Sequence, residues 1–144
     1  GYWKRPQETS DCLSQDGWLL TGDIGWLDGD GYLYILDRKK EMIKYKGYQV
    51  APAELEALLH EHPAVLDAAV IPKPHLEGGE IPKAFVVLRE GFQASPEELM
   101  AFVAEKVAPY KKIREVEYLP EIPRTASGKI LRRELIERER GKKG

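Results

Sequence analysis

Apolar residues fall into short runs near the start of the chain and into regular helical or strand spacing after it. Trp18-Leu19-Leu20, Ile24-Gly25-Trp26-Leu27 and Tyr32-Leu33-Tyr34-Ile35-Leu36 are strand-length runs, separated by Asp16-Gly17 and Asp28-Gly29-Asp30-Gly31. Glycine and aspartate tolerate positive φ, so these clusters predict tight turns within a β-rich opening segment. The cluster from Asp28 to Gly31 lacks the spaced ligands and terminal glutamate of a calcium loop, which leaves a plain hairpin.

Composition changes after Leu36. Arg38, Lys39 and Lys40 are consecutive and Glu41 follows, marking a polar connector and a candidate domain boundary; a solvated linker carries the same signature. Beyond it, Leu55, Leu58 and Leu59 keep i, i+3, i+4 spacing behind Pro52, which predicts a helix over 52–61. The runs 65–71 and 84–88 read as valine-rich strands, and the proline- and glycine-bearing segment between them, 72–82, reads as a loop. Ser95-Pro96-Glu97-Glu98 is a capping box with proline in the first turn. Leu99, Phe102, Val103 and Val107 continue it as a buried stripe that Pro109 ends. A third strand over 113–119 and a helix over about 130–140, burying Leu131, Leu135 and Ile136, complete the pattern. These periodicities predict a small α+β domain, about three strands with helices, carrying a β appendage.

The hydrophobic share of 42% supports a core, and the 32% charged residues give a polar surface with net charge −2. Both signs are interspersed, which excludes the segregated basic face that nucleic acid or an anionic membrane requires. No apolar run approaches the ~20 residues of a membrane span. The lone Cys12 excludes an internal disulfide and a cysteine zinc site, so a cytoplasmic protein is expected. The polar start, Gly1-Tyr2-Trp3-Lys4-Arg5-Pro6, offers no signal peptide, and a piece of a longer protein is expected. His60, His62 and His75 have neither helical ligand spacing nor suitable acidic partners, so no metal site is expected and His60 and His62 read as a solvated helix end. Basic residues after Arg132 alternate with Glu134, Glu137 and Glu139, as on an exposed helix with intrahelical pairs.

Three polar clusters carry the candidate chemistry: Thr21-Gly22-Asp23, then Asp37-Arg38 leading into Ile43-Lys44-Tyr45-Lys46-Gly47-Tyr48-Gln49, then Pro123-Arg124-Thr125-Ala126-Ser127-Gly128-Lys129. Singly, each has a bland reading as a turn, as edge-strand lysines that blunt aggregation, or as a surface lysine before a helix. Ser127-Gly128-Lys129 is no P-loop, because the first glycine of that motif is absent and Ile130 replaces its Ser/Thr. Taken in order, with Val50-Ala51-Pro52-Ala53-Glu54-Leu55 and Ile130-Leu131-Arg132-Arg133-Glu134-Leu135, they resemble the carboxyl-terminal portion of the adenylate-forming enzymes. That superfamily includes acyl-CoA synthetases, coumarate-CoA ligases, luciferases and peptide-synthetase adenylation domains.

The resemblance covers nearly the whole chain and implies an organisation. Residues 1–39 would be the β-rich end of a large amino-terminal domain, and residues 40–144 a small α+β lid, with a hinge near Lys40. The phosphate loop and acyl pocket would lie in the missing amino-terminal domain, the expected partner within the same polypeptide. The chain alone is therefore expected to be inactive.

It also implies roles. Lys129 matches the lysine that offsets charge when a carboxylate attacks the α-phosphate of ATP, a use suited to a compact charge on a flexible stem. Asp23 matches the carboxylate that accepts from both ribose hydroxyls, and Arg38 matches the arginine that also approaches the ribose. Lys44 and Gln49 match polar residues of the second half-reaction. Lys46 and Gly47 fall where pantetheine passes, glycine permitting close backbone approach. The implied cofactors are ATP with Mg²⁺ and coenzyme A, and the substrate a small carboxylic acid such as a fatty or aryl acid. The whole enzyme would make an acyl-adenylate and then an acyl-CoA. Alternatives are a carrier-protein-loading adenylation domain, a luciferase-like enzyme, or a non-catalytic module that keeps the lid fold.

Overall fold

A computed structural model describes residues 1–142 of the chain. Contacts divide it into two compact units, residues 1–40 and the chain from Glu41 onward.

The first unit holds one short helix, α1 (Pro6–Cys12), and a hairpin of β1 (Asp23–Leu27) and β2 (Leu33–Arg38). The helix was not legible from hydrophobic spacing, since none of its residues is buried. Trp18 to Leu20 forms no strand and makes only an isolated bridge, Leu13 with Leu19. The hairpin turn is built by Asp28, whose carboxylate accepts from the backbone N–H groups of Tyr32 at 2.8 Å and Asp30 at 3.0 Å. Those bonds, Tyr32's foremost, hold the Asp28 carboxyl below the usual carboxylate range. Trp26 stacks on Tyr34 at 4.5 Å, yet no residue of this unit is buried, and Trp18 remains 75% exposed. A two-stranded hairpin with no core is marginal in water.

The second unit has a five-stranded sheet where about three strands were expected. Its strands are β3 (Ile43–Tyr45), β4 (Tyr48–Val50), β5 (Val65–His75), β6 (Gly79–Leu88) and β7 (Glu115–Tyr118), in the order β4-β3-β6-β5 with β7 parallel to β6. Its helices are α2 (Pro52–His60), α3 (Pro96–Ala104) and α4 (Arg132–Gly141). The additional strands are β3 and β4, three residues each, too short for a periodic signal.

The expected loop over 72–82 is mostly strand. The β5–β6 ladder runs through it, and only 76–78 lie outside. Pro72 and Pro74 sit on β5, which pairs only with β6, so their missing N–H groups fall on an edge strand where they are tolerated. Pro72 faces Pro82, which places two of the missing donors on one rung.

Two cores sandwich the sheet. Ile43, Val50, Leu55, Leu59, Val70 and Leu99 belong to the cluster under α2 and α3, while Ala69, Ile71, Phe85 and Leu135 belong to that under α4. The Ser95 capping box is present, its hydroxyl accepting from Glu98 N–H at 3.1 Å. His62 corrects the expectation of a solvated helix end: it is 7% exposed, edge-on to Phe102 at 4.9 Å and accepts from Ala64 N–H. The last helix is likewise only partly exposed. Arg133 and Glu137 pair along it at 2.9 Å, but Glu139 is buried against Lys83.

Lys83 is 2% exposed and contacts three carboxylates, Glu139 at 2.6 Å and Glu115 and Glu117 at 2.8 Å. Lys73 joins through Glu115 at 2.6 Å and Glu139 at 2.8 Å. Burial alone would raise the three carboxyls, but hydrogen bonds from the lysines outweigh it and hold them below the ordinary range. The network fastens α4 to the sheet.

Candidate functional site

Asp23 opens β1 and Arg38 closes β2, so the antiparallel register sets them opposite one another. Arg38 Nε lies 3.6 Å from Asp23 Oδ1. The preceding turn depends on Gly22 at φ 80°, with Thr21 Oγ1 accepting from Asp23 N–H and the Gly22 carbonyl from Lys39 N–H at 2.8 Å. An open groove beside the pair is lined by Leu20, Thr21, Lys39 and Lys40. A solvated pair of this length is weak, leaving the carboxylate free to accept from two adjacent hydroxyls.

Lys44, Lys46, Gly47 and Gln49 lie on one hairpin, β3–β4, where Lys44 directly faces Gln49. Its loop is the two residues Lys46 and Gly47, at φ 47° and 85°. A type I′ turn demands positive φ at both positions, which suits glycine and strains lysine. The strain is held by neighbours: Lys46 N–H donates to the Gly78 carbonyl at 2.9 Å, Lys44 N–H to Glu80 at 2.8 Å. Arg114 lies over the Tyr45 ring at 4.3 Å, and Tyr48 stacks on Tyr110 at 4.5 Å. Lys44 and Gln49 are exposed.

Lys129 stands on a separate hairpin. Thr125 N–H donates to the Lys129 carbonyl at 2.8 Å, Gly128 N–H to the Thr125 carbonyl at 2.9 Å, and Gly128 has φ 85°. This is a three-residue loop whose glycine takes the left-handed position. Thr125 Oγ1 accepts from Lys129 N–H and bonds Ser127 Oγ at 2.8 Å. The backbone is thus pinned while the Lys129 ammonium is exposed and makes no ion pair among the described residues.

Residues without an assigned role in the sequence support these elements. Arg132, at the start of α4, grips Glu56 of α2 at 2.7 and 2.8 Å, Glu41 at 2.5 Å and the Val70 carbonyl at 3.3 Å. Arg124 bonds Asp67 and the Gly128 carbonyl. Both arginines stand within motif segments, but their partners are distant in sequence and carry no local signal. The structure therefore brings Asp23 to Arg38 and Lys44 to Gln49, with Lys129 on its own hairpin. Lys40 is the last residue of the first unit.

Comparison with known proteins gives the class. Residues 54–129, just over half of the chain, match the AMP-binding enzyme C-terminal domain. The chain belongs to that family, the carboxyl-terminal domains of adenylate-forming enzymes. It is 57% identical over 136 residues to 4-coumarate–CoA ligase-like 4 of Oryza sativa subsp. japonica, covering 94% of this chain and 25% of that protein. It is 54% identical over 136 residues to peroxisomal OPC-8:0-CoA ligase 1 of Arabidopsis thaliana, with the same coverage. The ATP-bound crystal structure of MatB from Rhodopseudomonas palustris superposes with a TM-score of 0.89 at 32% identity, covering 96% of this chain and 27% of that one. The chain spans about a quarter of the length of the curated relatives it matches. No helix among the described residues is long and apolar enough to cross a membrane.

Proposed function

We propose that the chain is the carboxyl-terminal part of an ATP-dependent acid–thiol ligase that makes an acyl-adenylate and then an acyl-CoA. The carrying observation is Lys129, an exposed ammonium without an ion-pair partner among the described residues, on a hairpin whose backbone is bonded at Thr125, Gly128 and Lys129. A cation held in this way suits the α-phosphate during carboxylate attack, where charge accumulates in the transition state. Asp23 would accept from the ribose hydroxyls with Arg38 beside it. Lys44, Gln49 and the Lys46–Gly47 tip would serve thiol capture after the second unit turns about Lys40. The unit boundary falls after that residue, and hinges need only a few residues that absorb φ/ψ change.

The two relatives are CoA ligases by name, which supports the thiol acceptor and an acid of the aryl or fatty class. Mg²⁺ would accompany ATP; among the described residues no cluster of His, Cys, Asp or Glu is placed to hold a metal. The exposed aromatic faces of the β1–β2 hairpin would be covered by the amino-terminal domain, which would also supply the phosphate loop and acyl pocket. We retain the cytoplasmic reading from the lone Cys12, and the Arabidopsis relative, peroxisomal by name, marks the alternative compartment.

The test uses the full-length protein, assayed against aryl and fatty acids. Lys129→Ala should lower acid-dependent pyrophosphate exchange ~10²–10³-fold, about 2.7–4 kcal/mol of barrier. Thioester formation from a supplied acyl-adenylate should be largely spared. Equal losses in both half-reactions would sink the assignment.

A further inference from the structure

Residue Asp67 faces the Lys129 hairpin because of a β-bulge. Val65 pairs with Leu88 and Asp67 with Val87, so Leu66 is the extra residue and is 52% exposed. The bulge resets the alternation. Val65 shares one core with Ala68 and Val70, while Ala69 and Ile71 belong to the other, under α4. Asp67 therefore joins the α4 face, and bulges commonly re-aim a side chain in this way.

Its carboxylate meets Arg124 in a fork: Nη2 to Oδ1 at 2.7 Å and Nε to Oδ2 at 3.1 Å. The remaining terminal nitrogen, Nη1, donates to the Gly128 carbonyl at 2.7 Å. That carbonyl belongs to the peptide joining Gly128 to Lys129. One guanidinium thus ties the peptide plane from which Lys129 departs to β5, the strand that carries Asp67. Such a bidentate geometry fixes direction as well as distance. Lysine cannot reproduce it, having a single nitrogen. The charge on Arg124 is strengthened in turn, the Asp67 hydrogen bonds holding its proton more firmly than usual.

We propose that Arg124, anchored by Asp67, is a positioning residue for Lys129 in the adenylate-forming half-reaction. The proposal rests on the reading of Lys129 as the adenylation lysine. Its physical basis is that ~1 Å of misplacement at a reacting centre costs about 10²-fold in rate. The hairpin's own hydrogen bonds fix its shape, but not its direction relative to the sheet. Among the described residues, the side chain of Arg124 links the Gly128 carbonyl to Asp67 of β5, while the side-chain hydrogen bonds of Thr125 and Ser127 stay within the hairpin.

The experiment is a double-mutant cycle in the full-length protein, read by both half-reactions. Arg124→Ala should lower pyrophosphate exchange by about 10²-fold and leave thioester formation from supplied acyl-adenylate within about twofold. The double variant with Lys129→Ala should be no slower than Lys129→Ala alone, because Arg124 acts through that lysine. Multiplying losses would mean that Arg124 acts independently and would overturn the proposal. Arg124→Lys restoring the full rate would overturn it too, since charge alone would then suffice. Asp67→Asn, which keeps the shape of the strand, should reproduce the exchange defect in milder form; an unaffected rate removes the anchor. It also decides the matter if Arg124→Ala fails to fold. Intact exchange in Lys129→Ala would instead overturn the reading of Lys129, whereas intact exchange in Arg124→Ala beside a crippled Lys129→Ala overturns positioning alone.

Discussion

Arg132 donates to Glu41 at 2.5 Å, joining the first residue after the unit boundary to the helix that follows the Lys129 hairpin. The same guanidinium holds the Glu56 carboxylate, itself accepting from Val70 N–H at 2.8 Å. Two bonds of one arginine therefore differ in setting. The Glu56 side chain is 10% exposed and that of Glu41 27%. Arg132→Ala should cost about 3 kcal/mol, because it strands a buried charge. Glu41→Ala should cost about 1 kcal/mol or less, as half-exposed pairs do. Urea unfolding of the 144-residue chain measures both. Similar losses would show that Glu41, not Glu56, is the partner that matters.

Under the proposed rotation of the second unit, the pinned Glu41 would concentrate the change on the residues before it. Lys40→Pro in the full-length protein should leave pyrophosphate exchange within about threefold and slow CoA capture severely, since proline fixes φ near ~−65°. Steady-state acyl-CoA production at the normal rate would move the hinge to Lys39 or earlier.

Much of this was readable along the chain, in proportion to how local the cause is. The helices α2 and α3 announce themselves because Leu55 and Leu59 repeat at helical spacing and Ser95 caps within four residues. The strands β3 and β4 do not, because three residues cannot display an alternation and Lys46 occupies a positive φ that ordinarily signals glycine or asparagine. Proline misled at 72–82, since the penalty for a missing donor depends on edge position, a property of the assembled sheet. Lys83 carried no signal in the sequence; its partners Glu115, Glu117 and Glu139 lie far along the chain and meet it only on the folded sheet. The resemblance placed Asp23 and Arg38 each at the ribose, but that they face one another comes from the register of β1 and β2. Asp67 carried no signal, because its direction depends on the bulge at Leu66.

The Lys83 network predicts an acid-sensitive stability. Glu115, Glu117 and Glu139 have folded-state pKa values lowered from 4.5, so their contribution is complete above that value and is lost as pH falls through the lower folded ones. Lys73 and Lys83 are raised, so their contribution holds below 10.5 and fades only above it. Urea midpoints should accordingly be flat from about pH 6 to 9 and fall below about pH 4.5. Lys83→Met should cost about 3–5 kcal/mol at neutral pH, as for a broken buried pair. It should also move the acid decline upward, because burial then raises carboxyls that no longer have Lys83. An unchanged pH profile in the variant would exclude these carboxylates as its source.

Facing residues on the β3–β4 hairpin give the last prediction. Lys44 and Gln49 are exposed cross-strand neighbours, and neither side chain supports the core. Lys44→Ala and Gln49→Ala should therefore change stability by no more than about 0.5 kcal/mol. In the full-length protein, each should slow thioester formation more than pyrophosphate exchange, Lys44→Ala the more because under the proposed role its charge would act on the adenylate phosphate. The contrary reading makes Lys44 and Lys46 guards of a strand edge, against aggregation. Light scattering on heating separates the two: intact half-reactions with faster aggregation would assign the lysines to edge protection. Selective loss of CoA capture from a soluble variant would assign Lys44 to the second half-reaction. Gly47→Ala supplies a control on the backbone, because φ 85° strains any residue with a Cβ although nothing lies within 4 Å of one built there. It should therefore destabilise the hairpin by about 1 kcal/mol through strain alone, and a loss of CoA capture beyond that would locate the thiol's approach at the tip.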